Sequence, residues 1–217
     1  MTPPSIPIHI FHWGPCVIRF KISKKFHKEL LEHAYISRSS GKDHRSKLAG
    51  HLKEEYTMDR KKFTTPLDAL FHLYHGAWKS FTGDKKNIPV KYLLKSLWVN
   101  FQKQYEYNPP HDHYEELSFV IYLKIPEALK EENKKYIGTG RGPGSIMFTY
   151  GEGGKNFITY QSHFPEERDI FVFPASLKHY VAPFVSAGER ISVSGNVATS
   201  IPLVDMPKEI KYEVVQK

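Results

Sequence analysis

The chain has 217 residues, of which 40% are hydrophobic, 25% charged and 14% aromatic, and its formal net charge is +8. This composition is typical of one substantial globular domain and excludes general disorder, while the single cysteine, Cys16, excludes an internal disulfide framework and a cysteine-based zinc site. A reducing, cytoplasmic setting is the default expectation, because no apolar run approaches the roughly 20 residues of a membrane-spanning helix and the N-terminal MTPPSIPIHIF lacks a signal-peptide pattern.

Helical periodicity dominates residues 1–90, which we expect to form a helical support region. The segment SKKFHKELLEHAY begins with Ser23 as a capping residue and places apolar side chains on one face. In TTPLDALFHLYHGAWKSF, Thr65 can cap a second helix and Pro66 suits its first position. The apolar faces of the two helices comprise Phe26, Leu30, Leu31 and Ala34, and Leu67, Leu70, Phe71, Tyr74, Trp78 and Phe81. The polar segment 37–62 is predicted to be an irregular excursion.

From about residue 91 the hydrophobic pattern changes from a helical repeat to an alternation with a period of two residues. KSLWVNFQKQY alternates, and LSFVIYLKI is a continuous apolar run rich in β-branched and aromatic residues. Further short strands are predicted in GSIMFTY, NFITYQ, DIFVF, HYVAPF and RISVSGNV, separated by loops such as GTGRGPG, GEGG and SAG. The sequence therefore predicts a mainly β fold with N-terminal helices, an antiparallel sandwich or jelly roll. We expect a single domain over 1–217, with a β core at 91–200 and a C-terminal extension at 201–217.

The stretch NPPHDHYEEL contains the first candidate site. If it enters a strand, His111 and His113 point to the same side and Asp112 to the other, which makes a two-pronged clamp for a metal. Imidazole suits iron, zinc, copper and nickel, and such a metal needs a further ligand from another strand. Taken alone, the pair could equally be exposed histidines beside a turn.

A second half of the site is indicated by FVFPASLKHYVAPF followed by ERISVSGN. His179 lies in a strand-like run, and Arg190 and Ser192 begin a polar face that continues through Ser194 and Asn196. Such a face could be the outer side of an edge strand. Arginine, however, can hold a carboxylate through two parallel hydrogen bonds, and a neighbouring hydroxyl can add a third.

The ordered set W-x-N, NPPHDH with LSFVIYL, FPASLKHYVAPF and ERISVSGN resembles the iron(II)- and 2-oxoglutarate-dependent oxygenases. The likeness covers roughly residues 95–200, with a looser one in IFHWGPCVIRFKI. It is greatest to a branch common in phage and marine bacterial genomes, in which His-x-His replaces the usual His-x-Asp. A phage-encoded member would act in the cytoplasm of its host.

This resemblance implies a double-stranded β-helix, a jelly roll with a metal at its open mouth. It implies Fe(II) held by His111, His113 and His179, and 2-oxoglutarate bound through Arg190 with help from Ser192. Asn100 and Asn196 match the family's asparagines and are expected to contact cosubstrate or substrate. The implied reaction is that of a dioxygenase, or hydroxylase, which uses O₂ and couples decarboxylation of 2-oxoglutarate to oxidation of a C–H bond in an unidentified substrate.

Two questions stay open at the level of sequence. A carboxylate from Asp112 or Glu115 could replace His113 as a metal ligand, although the strand period favours three histidines. The segments 37–62 and 136–144 are candidates for a lid over the site.

Two alternative functions also remain. One is a cupin-like metalloenzyme that does not use 2-oxoglutarate. The other is a non-catalytic basic jelly-roll module. Nucleic-acid binding is not favoured, because the basic residues form scattered doublets rather than a basic helix. The doublets are Lys24 and Lys25, Lys61 and Lys62, Lys85 and Lys86, and Lys134 and Lys135.

Overall fold

Two antiparallel sheets carry the fold in the computed structural model, which describes residues 14–85, 89–151 and 159–200. The strands are β1 (Ile18–Lys21), β2 (Glu55–Thr57), β3 (Lys91–Gln102), β4 (Asn108–His111), β5 (Leu117–Lys124), β6 (Ile146–Thr149), β7 (Tyr160–His163), β8 (Asp169–Pro174), β9 (Lys178–Val181) and β10 (Arg190–Ser200). The helices are α1 (Lys24–Ser40), α2 (Arg60–Thr82) and α3 (Glu127–Lys134), with a short 3-10 turn at Arg45–Lys47. None of the helices in these ranges has both the length and the apolar character needed to cross a membrane.

The larger sheet has the order β1-β8-β5-β10-β3-β2, and the smaller has the order β4-β9-β6-β7. Strand β5 lies inside the larger sheet and is buried on both faces, which explains its continuous apolar sequence. Its Phe119 and Ile121 belong to a core shared with α1 and α2, whereas Val120 and Tyr122 belong to a core that includes residues of the smaller sheet. The predicted β-rich fold with N-terminal helices is thus confirmed.

The two predicted helices form, but the start of the second was wrongly predicted. Helix α1 begins after Ser23, whose Oγ accepts a hydrogen bond from the Phe26 amide, and ends at Gly41 with φ of 66°. Helix α2 is capped by Asp59, which accepts from the Lys61 amide, so Pro66 lies inside the helix rather than at its first position. The extra turn forms because Phe63 is fully buried in the core ahead of Pro66.

The segment 37–62, predicted to be irregular, contains ordered structure. It includes the end of α1, the 3-10 turn and strand β2, which pairs with β3 through Glu55 opposite Asn100. This strand has only three residues, too short to show a period of two in the sequence. Strands β1 and β4 and helix α3 were likewise not predicted. The predicted extension 201–217, the N-terminal MTPPSIPIHIF, and residues 152–158, which include most of the predicted GEGG loop and the start of the predicted NFITYQ strand, lie outside the described residues.

Candidate metal and cosubstrate site

Three histidines converge at the edge of the smaller sheet. His111 at the end of β4 lies opposite His179 of β9, and His113 follows two residues after the end of that strand. One ligand nitrogen from each of the three can be chosen so that all lie within 4.8 Å of one another, and among the described residues this is the one group of histidine, cysteine or carboxylate side chains so arranged. The closely spaced pair of histidines and the distant third one therefore form the cluster that the sequence indicated.

Backbone carbonyls fix which nitrogen of two of these rings faces the cluster. His111 Nδ1 donates to the Pro109 carbonyl at 2.7 Å, and His179 Nδ1 donates to the Leu177 carbonyl at 2.9 Å. Because a carbonyl oxygen can only accept, Nδ1 of each ring carries the proton and Nε2 keeps its lone pair. Such an outer hydrogen bond is the usual way in which proteins orient a histidine ligand.

The environment keeps two of the histidines neutral. Burial, with a smaller contribution from His111, lowers the pKa of His113 to about 4. Burial likewise lowers the pKa of His179 to about 3. Metal binding requires the neutral imidazole, so both rings are ready to coordinate at neutral pH without losing a proton. The three rings fit a divalent first-row metal ion with nitrogen preference.

Neither candidate carboxylate belongs to this cluster. Asp112 is exposed, and Glu115 is half-buried and lines a groove outside the histidines. The alternation expected from the sequence, with Asp112 directed away from the two histidines, is consistent with this arrangement.

An inner cavity of about 40 Å³ lies behind the histidines. Arg190 also lines this cavity and is 2% exposed, and one of its guanidinium nitrogens, Nη1, donates to the Gly144 carbonyl at 2.8 Å. Its Nε has no hydrogen-bond partner, and none of the described carboxylates forms a salt bridge with it. Burial lowers the pKa of Arg190, as expected for a cation that lacks a counter-ion. A buried, unpaired guanidinium is costly, and this one is suited to an anionic ligand.

Tyr122 is a cavity residue that the sequence reasoning missed. It is fully buried, its hydroxyl has no partner, and its ring lies 5.3 Å from the Arg190 guanidinium carbon. Burial raises its pKa to about 12, so the hydroxyl remains a donor at neutral pH. The available signal was the period of two in β5, since Ser118, Val120 and Tyr122 all line the cavity.

The polar face of β10 lines the same cavity. Strand β10 lies between β5 and β3, so the alternative of an edge strand with a solvated outer face is wrong. Ser192 is opposite Asn100 of β3, whose Nδ2 donates to Ser192 Oγ at 3.4 Å. Asn196 accepts a hydrogen bond of 2.7 Å from Ser118 and lies where the inner cavity meets the outer groove.

A buried carboxyl from β2 also lines the cavity. Glu55 is 1% exposed, and its Oε2 has no hydrogen-bond partner. Burial, assisted by the nearby Asp43 and Glu106, raises its pKa to about 7. Asn100, opposite it in the sheet, likewise has an Oδ1 without a donor. No local pattern in the sequence connects Glu55 with the site, because only the sheet pairing brings it there.

An outer groove of about 960 Å³ opens on the other side of the histidines. It shares His111, His113, Trp98 and Asn196 with the inner cavity, so the candidate metal position lies between the two spaces. Trp98 is 5% exposed and is stacked on His44 at 5.5 Å between ring centroids. The inner space is the smaller of the two, whereas the outer one is large enough for an organic substrate.

Comparison with known proteins confirms the resemblance. Residues 96–196, just under half of the chain, match a family described as "Putative 2OG-Fe(II) oxygenase". This segment contains each of the site residues expected from the sequence. No curated protein sequence matches the chain.

Solved structures with a similar fold include two prolyl hydroxylases. A prolyl-4-hydroxylase from Pseudomonas putida aligns with a TM-score of 0.55 and 13% identity, over 84% of this chain and 91% of that one. A prolyl hydroxylase from Trichoplax adhaerens, in complex with a hypoxia inducible factor peptide fragment, aligns with a TM-score of 0.53 and 11% identity, over 85% and 83% of the two chains. At this identity the likeness shows the fold, which is the expected jelly roll.

Proposed function

We propose that this chain, whose residues 96–196 match the 2OG-Fe(II) oxygenase family, hydroxylates a C–H bond of an organic substrate. The family implies Fe(II), 2-oxoglutarate and O₂ as reaction partners. When bound, Fe(II) and 2-oxoglutarate together supply the activation of O₂, with 2-oxoglutarate converted to succinate and CO₂. The residues of this chain bind, orient and shield these reactants.

We assign the metal to His111, His113 and His179. The hydrogen bonds to Pro109 and Leu177 support this assignment, because they leave Nε2 of two rings free to coordinate. Three neutral imidazoles add no negative charge, so a bound 2-oxoglutarate dianion would provide the charge that a carboxylate ligand gives in the usual facial triad.

Arg190 is the main observation that supports binding of 2-oxoglutarate. Its buried guanidinium has a free Nε and no described carboxylate partner, while the hydroxyl of Tyr122 nearby also lacks a partner. A carboxylate beside Arg190 would accept hydrogen bonds from both groups and neutralise the guanidinium charge. Ser192 and Asn100, which also line the cavity, are proposed as further contacts for the cosubstrate. A cupin-like enzyme without an anionic cosubstrate would leave this arginine unpaired.

Substrate would approach from the outer groove. His111 and His113 line both spaces, so a substrate in the groove and a cosubstrate whose terminal carboxylate enters the cavity would meet at the metal from opposite sides. Asn196, located at the junction, is proposed to contact the cosubstrate or the substrate. The walls of the cavity are largely buried, which keeps bulk water from the reacting groups.

The test is an anaerobic titration of the full chain with Fe(II) and then 2-oxoglutarate. We expect a weak visible charge-transfer band from the chelate, followed on admission of O₂ by release of succinate. His179→Ala should weaken metal binding by at least about 100-fold and remove the band. Arg190→Gln should retain metal binding and require at least tenfold more 2-oxoglutarate, since it removes the proposed carboxylate partner.

His72→Ala provides a matched control. His72 is exposed on α2, lies 3.5 Å from Asp68, makes an edge-to-face ring contact with Tyr92, and does not line the site. It should bind metal and 2-oxoglutarate like the wild type. Absence of the band in wild-type protein, or an unchanged band in the His179 variant, would exclude the proposal.

A further inference from the structure

The outer groove carries an accumulation of positive charge. Four lysines and one arginine line it from four parts of the fold: Lys42 after α1, Lys47 in the 3-10 turn, Arg60 and Lys61 at the start of α2, and Lys95 in β3. All five are exposed and therefore available to a ligand. All five also lie outside residues 96–196, so the family match does not account for them.

These lysines are not neutralised by the described part of the protein. No described carboxylate forms a salt bridge with Lys42, Lys47, Lys61 or Lys95. The three acidic residues of the groove are placed differently. Asp59 caps α2 by accepting from the Lys61 amide, and Asp112 and Glu115 flank His113 in sequence. Four lysines of the groove therefore have no carboxylate partner among the described residues.

We propose that this groove binds a small anionic substrate with two or more negative charges, held by the lysines while a C–H bond faces the metal. The inference rests on the proposed function, because it names the substrate class for the same site. Clustered like charges on a concave surface repel one another and attract an oppositely charged ligand, which also raises its rate of association. Phosphate and carboxylate groups share the required chemistry, and lysine binds either one as a point charge.

The dimensions of the groove favour a small molecule over a polymer. Its volume of about 960 Å³ is near the upper limit of small-molecule sites, which are typically about 300–1,000 Å³. Among its aromatic side chains, Trp98 is buried and Tyr114 is fully exposed. A single exposed ring does not form the row of stacking platforms that is typical of single-stranded nucleic-acid sites.

The test compares two triple variants that remove the same amount of charge. The groove variant is Lys42→Gln, Lys47→Gln and Lys95→Gln. The control is Lys124→Gln, Lys134→Gln and Lys135→Gln, three exposed lysines that do not line the groove. Inorganic tripolyphosphate and citrate are titrated by calorimetry into the metal-free full chain, so that neither probe binds through a metal. The same titrations are repeated with Arg190→Gln, which separates binding in the groove from binding at the buried arginine.

We expect the groove variant to bind both probes at least fivefold more weakly, and the control to differ from wild type by less than twofold. Tripolyphosphate should also slow the reductive methylation of Lys42, Lys47 and Lys95, read by mass spectrometry, more than that of the control lysines. Equal weakening in both variants, or no binding of either probe, would overturn the proposal. Pentaglutamate or a deoxythymidylate hexamer is tested in the same way. If either binds in a groove-dependent manner while the small probes do not bind, the ligand is a peptide or a nucleic acid and the proposal of a small molecule is wrong.

These outcomes are separable from those of the proposed function. A missing charge-transfer band with groove-dependent tripolyphosphate binding would remove the oxygenase proposal and leave the anion site. A normal band with no probe binding would retain the oxygenase and exclude a small polyanionic substrate.

Discussion

His111 and His179 are matched across two antiparallel strands, with ring centroids 4.3 Å apart, and each donates from Nδ1 to the carbonyl two residues before it. The two rings are therefore held by equivalent local hydrogen bonds in addition to the sheet register. A site positioned on paired strands in this way is already organised before the metal binds.

The first prediction concerns metal affinity. His179→Ala should weaken binding of Co(II), used as a spectroscopic probe, by at least about 100-fold, because a direct ligand is lost rather than its outer hydrogen bond. Absorbance titration measures this, and circular dichroism confirms that the variant is folded. An affinity within threefold of wild type would show that the three histidines do not form the metal site.

The sequence was sufficient to predict this cluster but not its surroundings. His111 and His113 are spaced as in a strand, and His179 lies in a strand-like run. Such local patterns can be read directly from the sequence. Tyr122 was hidden because β5 is buried on both faces, so no polar face distinguishes it from Phe119 or Ile121.

Other parts of the site depend on tertiary pairing alone. Glu55 reaches the cavity through β2, which has three residues and no recognisable period. Gly144 lies at the end of GTGRGPG, which was predicted only as a loop between strands. Its carbonyl accepts from Arg190, 46 positions away. Such long-range partners cannot be read from local propensity.

The second prediction separates stability from cosubstrate binding at Tyr122. Tyr122→Phe removes a buried hydroxyl without a partner, so the free energy of unfolding of the free protein should stay the same or rise by up to about 1 kcal/mol. Affinity for 2-oxoglutarate should fall about fivefold to tenfold, while metal affinity should not change. Denaturant unfolding and the anaerobic titration measure the two effects.

Tyr74→Phe is the matched control for this prediction. The hydroxyl of Tyr74 is also well buried but donates to the Cys16 carbonyl at 3.2 Å, outside the cavity. Its loss should cost about 1 kcal/mol of stability and leave 2-oxoglutarate binding intact. The same response in both variants would argue that Tyr122 is only a core residue.

The third prediction tests where α2 begins. Asp59→Ala should destabilise the protein by about 1 kcal/mol, because it removes the acceptor for the Lys61 amide at the helix start. Thr65→Ala should be neutral or slightly stabilising, since Thr65 is exposed inside the helix, where alanine is preferred. Chemical denaturation of the two variants decides between the caps. A larger loss of stability in Thr65→Ala than in Asp59→Ala would identify Thr65 as the capping residue.

The fourth prediction is the pH dependence of stability that arises from Glu55. Its pKa is raised from 4.5 to about 7 in the folded protein, so the folded state holds a proton that the unfolded state releases. The stabilisation from the protonated carboxyl is full below about pH 4.5 and is lost as pH rises through about 7.

Glu55→Gln should remove this part of the pH dependence, because the amide does not titrate and can donate to the unpaired oxygen of Asn100 opposite it in the sheet. At pH 8 the variant should be more stable than wild type by about 2–3 kcal/mol, and at pH 4.5 the two should be similar. Exposed Glu127 provides the control, since Glu127→Gln should leave the pH profile of unfolding unchanged. If wild type and Glu55→Gln kept a constant difference from pH 4.5 to pH 8, Glu55 would be ionised throughout that range, and the cavity would contain a fixed negative charge beside Asn100.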